Sequence, residues 1–140
     1  PLLYAIDLSS NRISAIEPGA LRGLRSLATL ALRDNPLVSL AAGALDIGGS
    51  DDGLLRNLFL DDCGRLREVE VGALPTTLEH VWLPGAALNC SQIAPRLPDG
   101  ATCLDGMMYC DVEYIVAIGD GYCSGGDYDT AECAWDGGDC

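Results

Sequence analysis

The sequence predicts an α/β solenoid of short parallel strands, followed by a small module held together by disulfides. Three observations indicate this fold class. The first part of the chain repeats a pattern of apolar positions, six of the seven cysteines follow position 89, and no basic residue follows Arg96. A chain of 140 residues has room for one domain and a small crosslinked module.

Four stretches carry the repeat, and their starts are Leu3, Leu27, Leu55 and Leu78. These starts lie 24, 28 and 23 residues apart, and each stretch is apolar at its first, fourth and sixth positions. This period resembles the leucine-rich repeat. The segment ISAIEPGALRGLRSL further resembles the 24-residue type of secreted and cell-surface members. The resemblance covers residues 2 to 103.

The physical reason for the pattern is that one repeat cannot bury its own leucines. Successive repeats stack, so the strands form a parallel sheet over a continuous core, with a mostly irregular convex side. The ninth position holds Asn11, Asn35, Cys63 and Ala86. An Asn there is expected to bond backbone groups of the turn. Cys63 is expected to be a buried free thiol rather than a reactive one.

Positions three, five and seven of each stretch are expected to face the concave side of the sheet. Phe59 and Trp82 share one register, so parallel pairing brings them within about 4.8 Å strand spacing. Two interpretations stay open for this aromatic pair: an exposed interface, or a surface covered by a neighbouring part of the same polypeptide. Arg33, Asp61 and His80 are further candidate binding residues on this face.

The pattern ends after Leu88, at NCSQIAPRLPDGATC. Secreted leucine-rich repeat proteins close this end with a cysteine-containing cap, and the resemblance implies a disulfide between Cys90 and Cys103. Asn89 begins an N-x-S sequon and is a candidate glycosylation site.

The motifs GDGYC and ECAWDGGDC in the acidic tail resemble the Lin-12/Notch repeat, a small calcium-binding disulfide module. The tail has four cysteines where the family has six, and the resemblance implies the pairs Cys110–Cys133 and Cys123–Cys140. It also implies Ca²⁺ ligands. These are the side chains of Asp120, Asp136 and Asp139, with a backbone carbonyl near Tyr122.

Two alternatives concern the metal in the tail. Asp127 and Asp129 are either further ligands or solvated loop charges. For the C-terminal cysteines, a zinc site is the less favoured alternative to disulfides, because the chain has no CxxC pair and its one histidine, His80, lies elsewhere.

The domain organisation is therefore residues 1–103, repeats with a cysteine cap, and 104–140, the calcium-binding module with little regular secondary structure. Because the chain starts inside a repeat at Pro1, we expect it to be processed or partial. The cysteine density favours an extracellular or cell-surface setting, with another oxidising lumen as the alternative.

The net charge of −13 disfavours nucleic acid and anionic membranes as partners. No apolar run is long enough for membrane insertion, and no catalytic constellation is recognisable, so an enzyme is not expected. The sequence predicts a non-catalytic protein-interaction or adhesion fragment. The alternative is a structural subunit of a larger assembly, or an accessory region of a larger enzyme or receptor, with copies of itself or other subunits as partners.

Overall fold

The computed structural model describes residues 3–48 and 54–106, together with the single positions 118, 122, 123, 125, 126, 130, 131 and 133. Its main element is a five-stranded parallel sheet. The strands, in spatial order, are β1 (Ala5–Asp7), β2 (Thr29–Ala31), β4 (Asn57–Phe59), β6 (His80–Trp82) and β7 (Thr102–Leu104). The parallel solenoid that the repeat predicts is therefore confirmed.

The register of the sheet follows the repeat residue by residue. Ala5 pairs with Thr29, Thr29 with Asn57, and Asn57 with His80, so the third positions of all four stretches form one row. The row continues to Thr102 in β7, a strand that the repeat pattern does not contain. The predicted domain boundary after Cys103 falls within this strand.

The convex side holds little regular structure in the described part of the chain. A two-stranded parallel sheet joins β3 (Ser39–Leu40) to β5 (Glu68–Val69), and a one-turn helix, α1 (Cys90–Ile93), precedes a 3₁₀ turn at Ala94–Arg96. Within the described residues, no helix has the length and apolarity that a membrane span requires.

The leucines of the repeat form one continuous core between the two sheets. Leu30, Leu58 and Val81, at the fourth position of successive stretches, are completely buried. Leu8 and Ile6 in the first stretch are only partly buried, because β1 lies at the edge of the sheet and no further coil packs on it among the described residues.

The ninth position of the repeat behaves as the sequence predicts. Asn35 is buried, its Oδ1 accepts the Ile13 N–H at 3.0 Å, and its Nδ2 donates to the carbonyls of Leu8 and Leu32. Cys63 occupies the equivalent place one coil later as a buried free thiol, with its Sγ 3.4 Å from the Leu32 carbonyl. Burial raises the pKa of this thiol, which makes it a poor nucleophile.

The C-terminal end of the solenoid is closed by a disulfide. Cys90 in α1 is bonded to Cys103 in β7, with 5.6 Å between their Cα atoms, and this confirms the predicted cap. The helix begins with a capping box in which the Asn89 side chain accepts from the Gln92 N–H and the Gln92 side chain accepts from the Asn89 N–H.

Candidate functional site

A row of apolar side chains crosses the concave face of the sheet. Ala31, Phe59 and Trp82 occupy the fifth position of three successive stretches, and Leu104 continues the row in β7. The rings of Phe59 and Trp82 are stacked, with 4.1 Å between centroids and 13° between planes. The predicted adjacency of these two aromatic residues is thus confirmed.

This apolar row is not open to solvent. Ala31, Phe59 and Trp82 each have an exposed fraction of 0%, and they form a second buried cluster with Ile118 and Cys133 from the C-terminal segment. Of the two interpretations of the aromatic pair, cover by another part of the same polypeptide is what the structure shows. We call this group the concave cluster.

Beside the apolar row runs a row of polar side chains at the third position. Thr29 and Asn57 are buried, and His80 is half-buried. Thr29 Oγ1 donates to the Ile118 carbonyl at 2.6 Å, Asn57 Nδ2 approaches Thr29 Oγ1 at 3.5 Å, and His80 Nδ1 lies 3.1 Å from Asn57 Oδ1.

The direction of this hydrogen-bond chain follows from its end. The Ile118 carbonyl can only accept, so the Thr29 hydroxyl donates to it and accepts from Asn57 Nδ2. Asn57 Oδ1 then accepts from His80 Nδ1, which must carry a proton. The chain is therefore oriented from His80 to the C-terminal segment, and aligned hydrogen bonds of this kind strengthen one another.

His80 also contacts the aromatic pair of the concave face. Its ring centroid lies 5.5 Å from that of Trp82. Burial lowers the pKa of His80, and the nearby Glu79 carboxylate opposes this shift only in part. The neutral ring with its proton on Nδ1 is thus the form that the surroundings favour near neutral pH.

Asp61 and Arg33 form a charged pair at the seventh position. Arg33 Nε lies 3.5 Å from Asp61 Oδ2, and the Asp61 side chain is fully buried while that of Arg33 is 23% exposed. Neither carboxylate oxygen of Asp61 accepts a hydrogen bond within the described part of the molecule. Burial raises the pKa of Asp61 more strongly than the Arg33 guanidinium lowers it. Asp61 is therefore not the accessible binding residue that its sequence position suggested.

The metal ligands inferred from the acidic tail mostly fall outside the described residues. Asp120, Asp136 and Asp139 are not described, whereas Tyr122 is, and its side chain is 77% exposed. No group of three potential metal-ligating side chains occurs within the ranges that the structure describes. Calcium binding thus stays a prediction.

The cysteines of the tail are placed only in part. Cys123 and Cys133 are both disulfide-bonded, while their predicted partners, Cys140 and Cys110, lie outside the described residues. The two predicted pairings accordingly stay predictions. Cys133 has an exposed fraction of 1%, so its disulfide is anchored beside the aromatic pair.

Asn89, the candidate glycosylation site, is exposed on the surface and caps α1 through its side-chain oxygen. Its glycosylation stays a prediction.

Sequence reasoning missed Ile118 and Cys133 as partners of the concave face. One signal was available: IVAI at residues 115–118 is an aliphatic run in an otherwise acidic and glycine-rich tail. Thr29 and Asn57 were correctly placed on the concave face but were not identified as hydrogen-bonding residues.

Comparison with known proteins supports the architecture. The family model described as leucine rich repeat matches residues 1–47. Together with the parallel solenoid sheet, this match supports a leucine-rich repeat protein. A comparison with curated proteins gives no match.

Proposed function

We propose that the chain is a non-catalytic extracellular protein-interaction or adhesion fragment, with the repeat sheet as its binding surface and the C-terminal module as an accessory. Leucine-rich repeat domains commonly mediate binding between proteins, which fits this role. The observation that carries the proposal is the concave face itself. It holds a polypeptide segment through both an aromatic stack and a side-chain hydrogen bond to a main-chain carbonyl.

The chemistry of the concave face suits polypeptide rather than a small charged metabolite. Its apolar row offers a flat aromatic surface to an aliphatic side chain, and Thr29 offers a hydroxyl donor to a main-chain carbonyl. Binding sites of this composition combine a buried aromatic anchor with a few oriented polar groups. A protein partner follows from this combination.

The extracellular setting is supported by the disulfides. The Cys90–Cys103 bridge closes the end of the repeat core, and Cys123 and Cys133 are also bonded. Such crosslinks persist in oxidising compartments and are rare in reducing ones. An oxidising lumen is the alternative setting.

We further propose that the tail binds Ca²⁺ through Asp120, Asp136 and Asp139, with a backbone carbonyl near Tyr122. Three carboxylates and a carbonyl are hard oxygen donors, which is the ligand chemistry that calcium prefers. Gly125 and Gly126 in the same segment adopt left-handed φ angles of 62° and 58°, which let the chain turn tightly between candidate ligands. When bound, the ion would neutralise like charges that otherwise repel one another.

A site-specific crosslinking experiment tests the interaction role. A photoreactive residue replaces Asp7, which lies exposed at the free edge of the concave face. Val71, with 76% exposure and a position after the convex strand β5, provides the matched control. After irradiation in extracellular fluid, we expect a discrete protein adduct from position 7 that excess unlabelled chain suppresses. Equal labelling at both positions would contradict a specific interface on this face.

A structural subunit of a larger assembly is the second candidate function. It is favoured by the complete burial of Phe59 and Trp82, which leaves the aromatic pair unavailable to a free partner. Native mass spectrometry of the secreted protein distinguishes the two, since a structural subunit would be recovered in a complex of fixed composition.

A further inference from the structure

We propose that the concave face is a polypeptide-binding groove that the chain closes on itself. In this proposal, which rests on the proposed protein-binding function, the contact of Ile118 and Cys133 with the aromatic pair is autoinhibitory. An external segment binds only when that contact opens. The internal segment also shows which external partner fits: one that offers an aliphatic side chain and a main-chain carbonyl.

The internal contact uses both rows of the groove at once. The side chains of Ile118 and Cys133 pack in the cluster of Phe59 and Trp82, while the Ile118 carbonyl accepts from Thr29. An external segment needs the same hydroxyl and the same aromatic surface. Internal and external segments therefore exclude each other, since the Thr29 proton and the surface of the stack serve one occupant at a time.

The hydrogen-bond chain selects the kind of occupant. Thr29 already accepts from Asn57 Nδ2, so its own proton is free only for an acceptor. A main-chain carbonyl supplies that acceptor in any sequence. The apolar row provides the selectivity, because an ionised side chain against the stacked rings would lose its hydration without gaining a partner.

The groove can open without unfolding the solenoid. The leucine core and the concave cluster are two separate groups of buried side chains, on opposite faces of the five-stranded sheet. Among the described residues, loss of the Ile118 and Cys133 contacts exposes Phe59 and Trp82 but leaves the side chains of the leucine core packed against one another. Local opening of this kind is the low-energy opening that proteins undergo while their cores stay protected.

Closure of the concave face by the C-terminal segment also predicts how the affinity for an external ligand is regulated. The apparent dissociation constant of an external ligand is its intrinsic value divided by the fraction of molecules that are open. A substitution that opens the contact therefore tightens external binding, and the ligand in turn displaces the C-terminal segment by the same factor.

The test uses the full chain and a labelled synthetic peptide of residues 113–122, EYIVAIGDGY. Ile118→Asp places a charge against the aromatic pair and opens the contact, whereas Ile118→Val keeps an aliphatic side chain and serves as the matched control. Fluorescence anisotropy measures peptide binding. We expect Ile118→Asp to bind the peptide at least tenfold more tightly than the unmutated chain or Ile118→Val. Adding Thr29→Val should remove most of this gain.

Two further measurements keep the outcome decisive. Hydroxyl-radical footprinting reports whether Trp82 becomes exposed, and amide exchange reports whether β2 and β4 stay protected. If Ile118→Asp disrupts those strands, the milder Ile118→Ala replaces it, with a smaller gain expected. Peptide affinity unchanged from the parent chain in an intact, opened variant would overturn the proposal, and so would equal affinity for a peptide with Ile118→Asp.

The inference and the proposed function fail in distinguishable ways. If the photoreactive residue at position 7 captures an extracellular protein equally well in the unmutated chain and in Ile118→Asp, the interaction role stands and autoinhibition is wrong. If the peptide binds the opened variant but no extracellular protein is captured in either chain, the closure stands and the interaction role is wrong.

Discussion

The leucine core and the concave cluster lie on opposite faces of the same sheet, yet they are built in different ways. Each coil contributes equivalent residues to the core, so Leu30, Leu58 and Val81 repeat one contact along the solenoid. The concave cluster joins Phe59 and Trp82 to Ile118 and Cys133, which belong to no repeat. Equivalent contacts therefore recur from coil to coil in the core, whereas the concave cluster has no such repetition among the described residues.

This difference predicts that the two regions respond differently to substitution. The stability of a repeat protein is approximately the sum of the stabilities of its coils and of the interfaces between neighbouring coils. Such a fold tolerates substitutions on its surface. A cluster that depends on one segment can form or open as a unit. The following predictions test whether the two regions respond separately.

The largest effect is expected in the leucine core. Leu58→Ala removes a completely buried side chain between two coils and should lower the free energy of unfolding by about 2 to 5 kcal/mol. Chemical denaturation monitored by circular dichroism measures this loss. Val71→Ala, at an exposed position, is the control and should change the free energy by less than about 0.5 kcal/mol.

A smaller and local effect is expected from Thr29→Val. The substitution keeps the shape of the side chain but leaves the Ile118 carbonyl and Asn57 Nδ2 without their partner, a loss of about 1 to 3 kcal/mol to docking of the C-terminal segment. Amide exchange should accelerate around residue 118, while β4 stays protected.

The exposed Thr76 gives the matched control, and Thr76→Val should leave exchange at both places unchanged. Equal acceleration in β4 and around residue 118 would mean that the two regions open together.

Calcium removal should loosen the tail by a comparable or smaller amount. Occupancy at a tenfold excess over Kd stabilises a binding module by about 1.4 kcal/mol. Chelation is therefore expected to accelerate amide exchange in residues 110–140 and to raise the footprinting rate of Trp82. Asp139→Ala should reproduce both changes in the presence of calcium. A tail whose exchange does not respond to calcium would argue that its disulfides alone hold it.

The smallest effect is a pH dependence that originates from Asp61. Its raised pKa means that the folded state holds this proton more tightly, so the buried carboxylate destabilises the fold near neutral pH. This destabilisation fades as pH falls towards the ordinary value of 3.8. Asp61→Asn should therefore be more stable than the unmutated chain at pH 7, with the difference shrinking towards pH 4.

His80 changes the stability in the opposite direction as pH falls. Because both proteins contain His80, this contribution cancels when Asp61→Asn is compared with the unmutated chain. Because the pKa of His80 is lowered, its neutral form is favoured and stability is lost as pH falls through 6.5 in both proteins. Thermal unfolding of the two chains across this pH range measures the difference. A constant difference would show that Asp61 does not titrate as its burial implies.

The sequence predicts the repeat region well because each of its features recurs. The spacing of Leu3, Leu27, Leu55 and Leu78 predicts the parallel register, and the ninth position predicts the buried Asn35 and Cys63. The cap disulfide between Cys90 and Cys103 was predicted from a family resemblance. Local periodicity determines the register of the five-stranded sheet over its first four strands and the row of buried leucines, so a single sequence is sufficient to predict both.

The concave cluster cannot be predicted from the repeat period, for a physical reason. The hydrogen bond from Thr29 to Ile118 joins residues 89 positions apart, and neither its existence nor its register follows from a period. The pairing of Phe59 with Trp82 was predictable, whereas the IVAI run at residues 115–118 marks an aliphatic segment without indicating that it covers the pair. The fifth strand, β7, was not predicted either, because Thr102–Leu104 does not carry the apolar pattern of the repeat.

Hydroxyl-radical footprinting of Trp82 in the unmutated chain tests most directly the central claim that the C-terminal segment covers the concave face. The reference is the same tryptophan in the chain unfolded by denaturant with its disulfides intact. We predict that Trp82 in the folded protein is oxidised at least tenfold more slowly than in this reference, because its exposed fraction is 0%. Oxidation of Trp82 at a rate close to that of the unfolded chain would contradict the account.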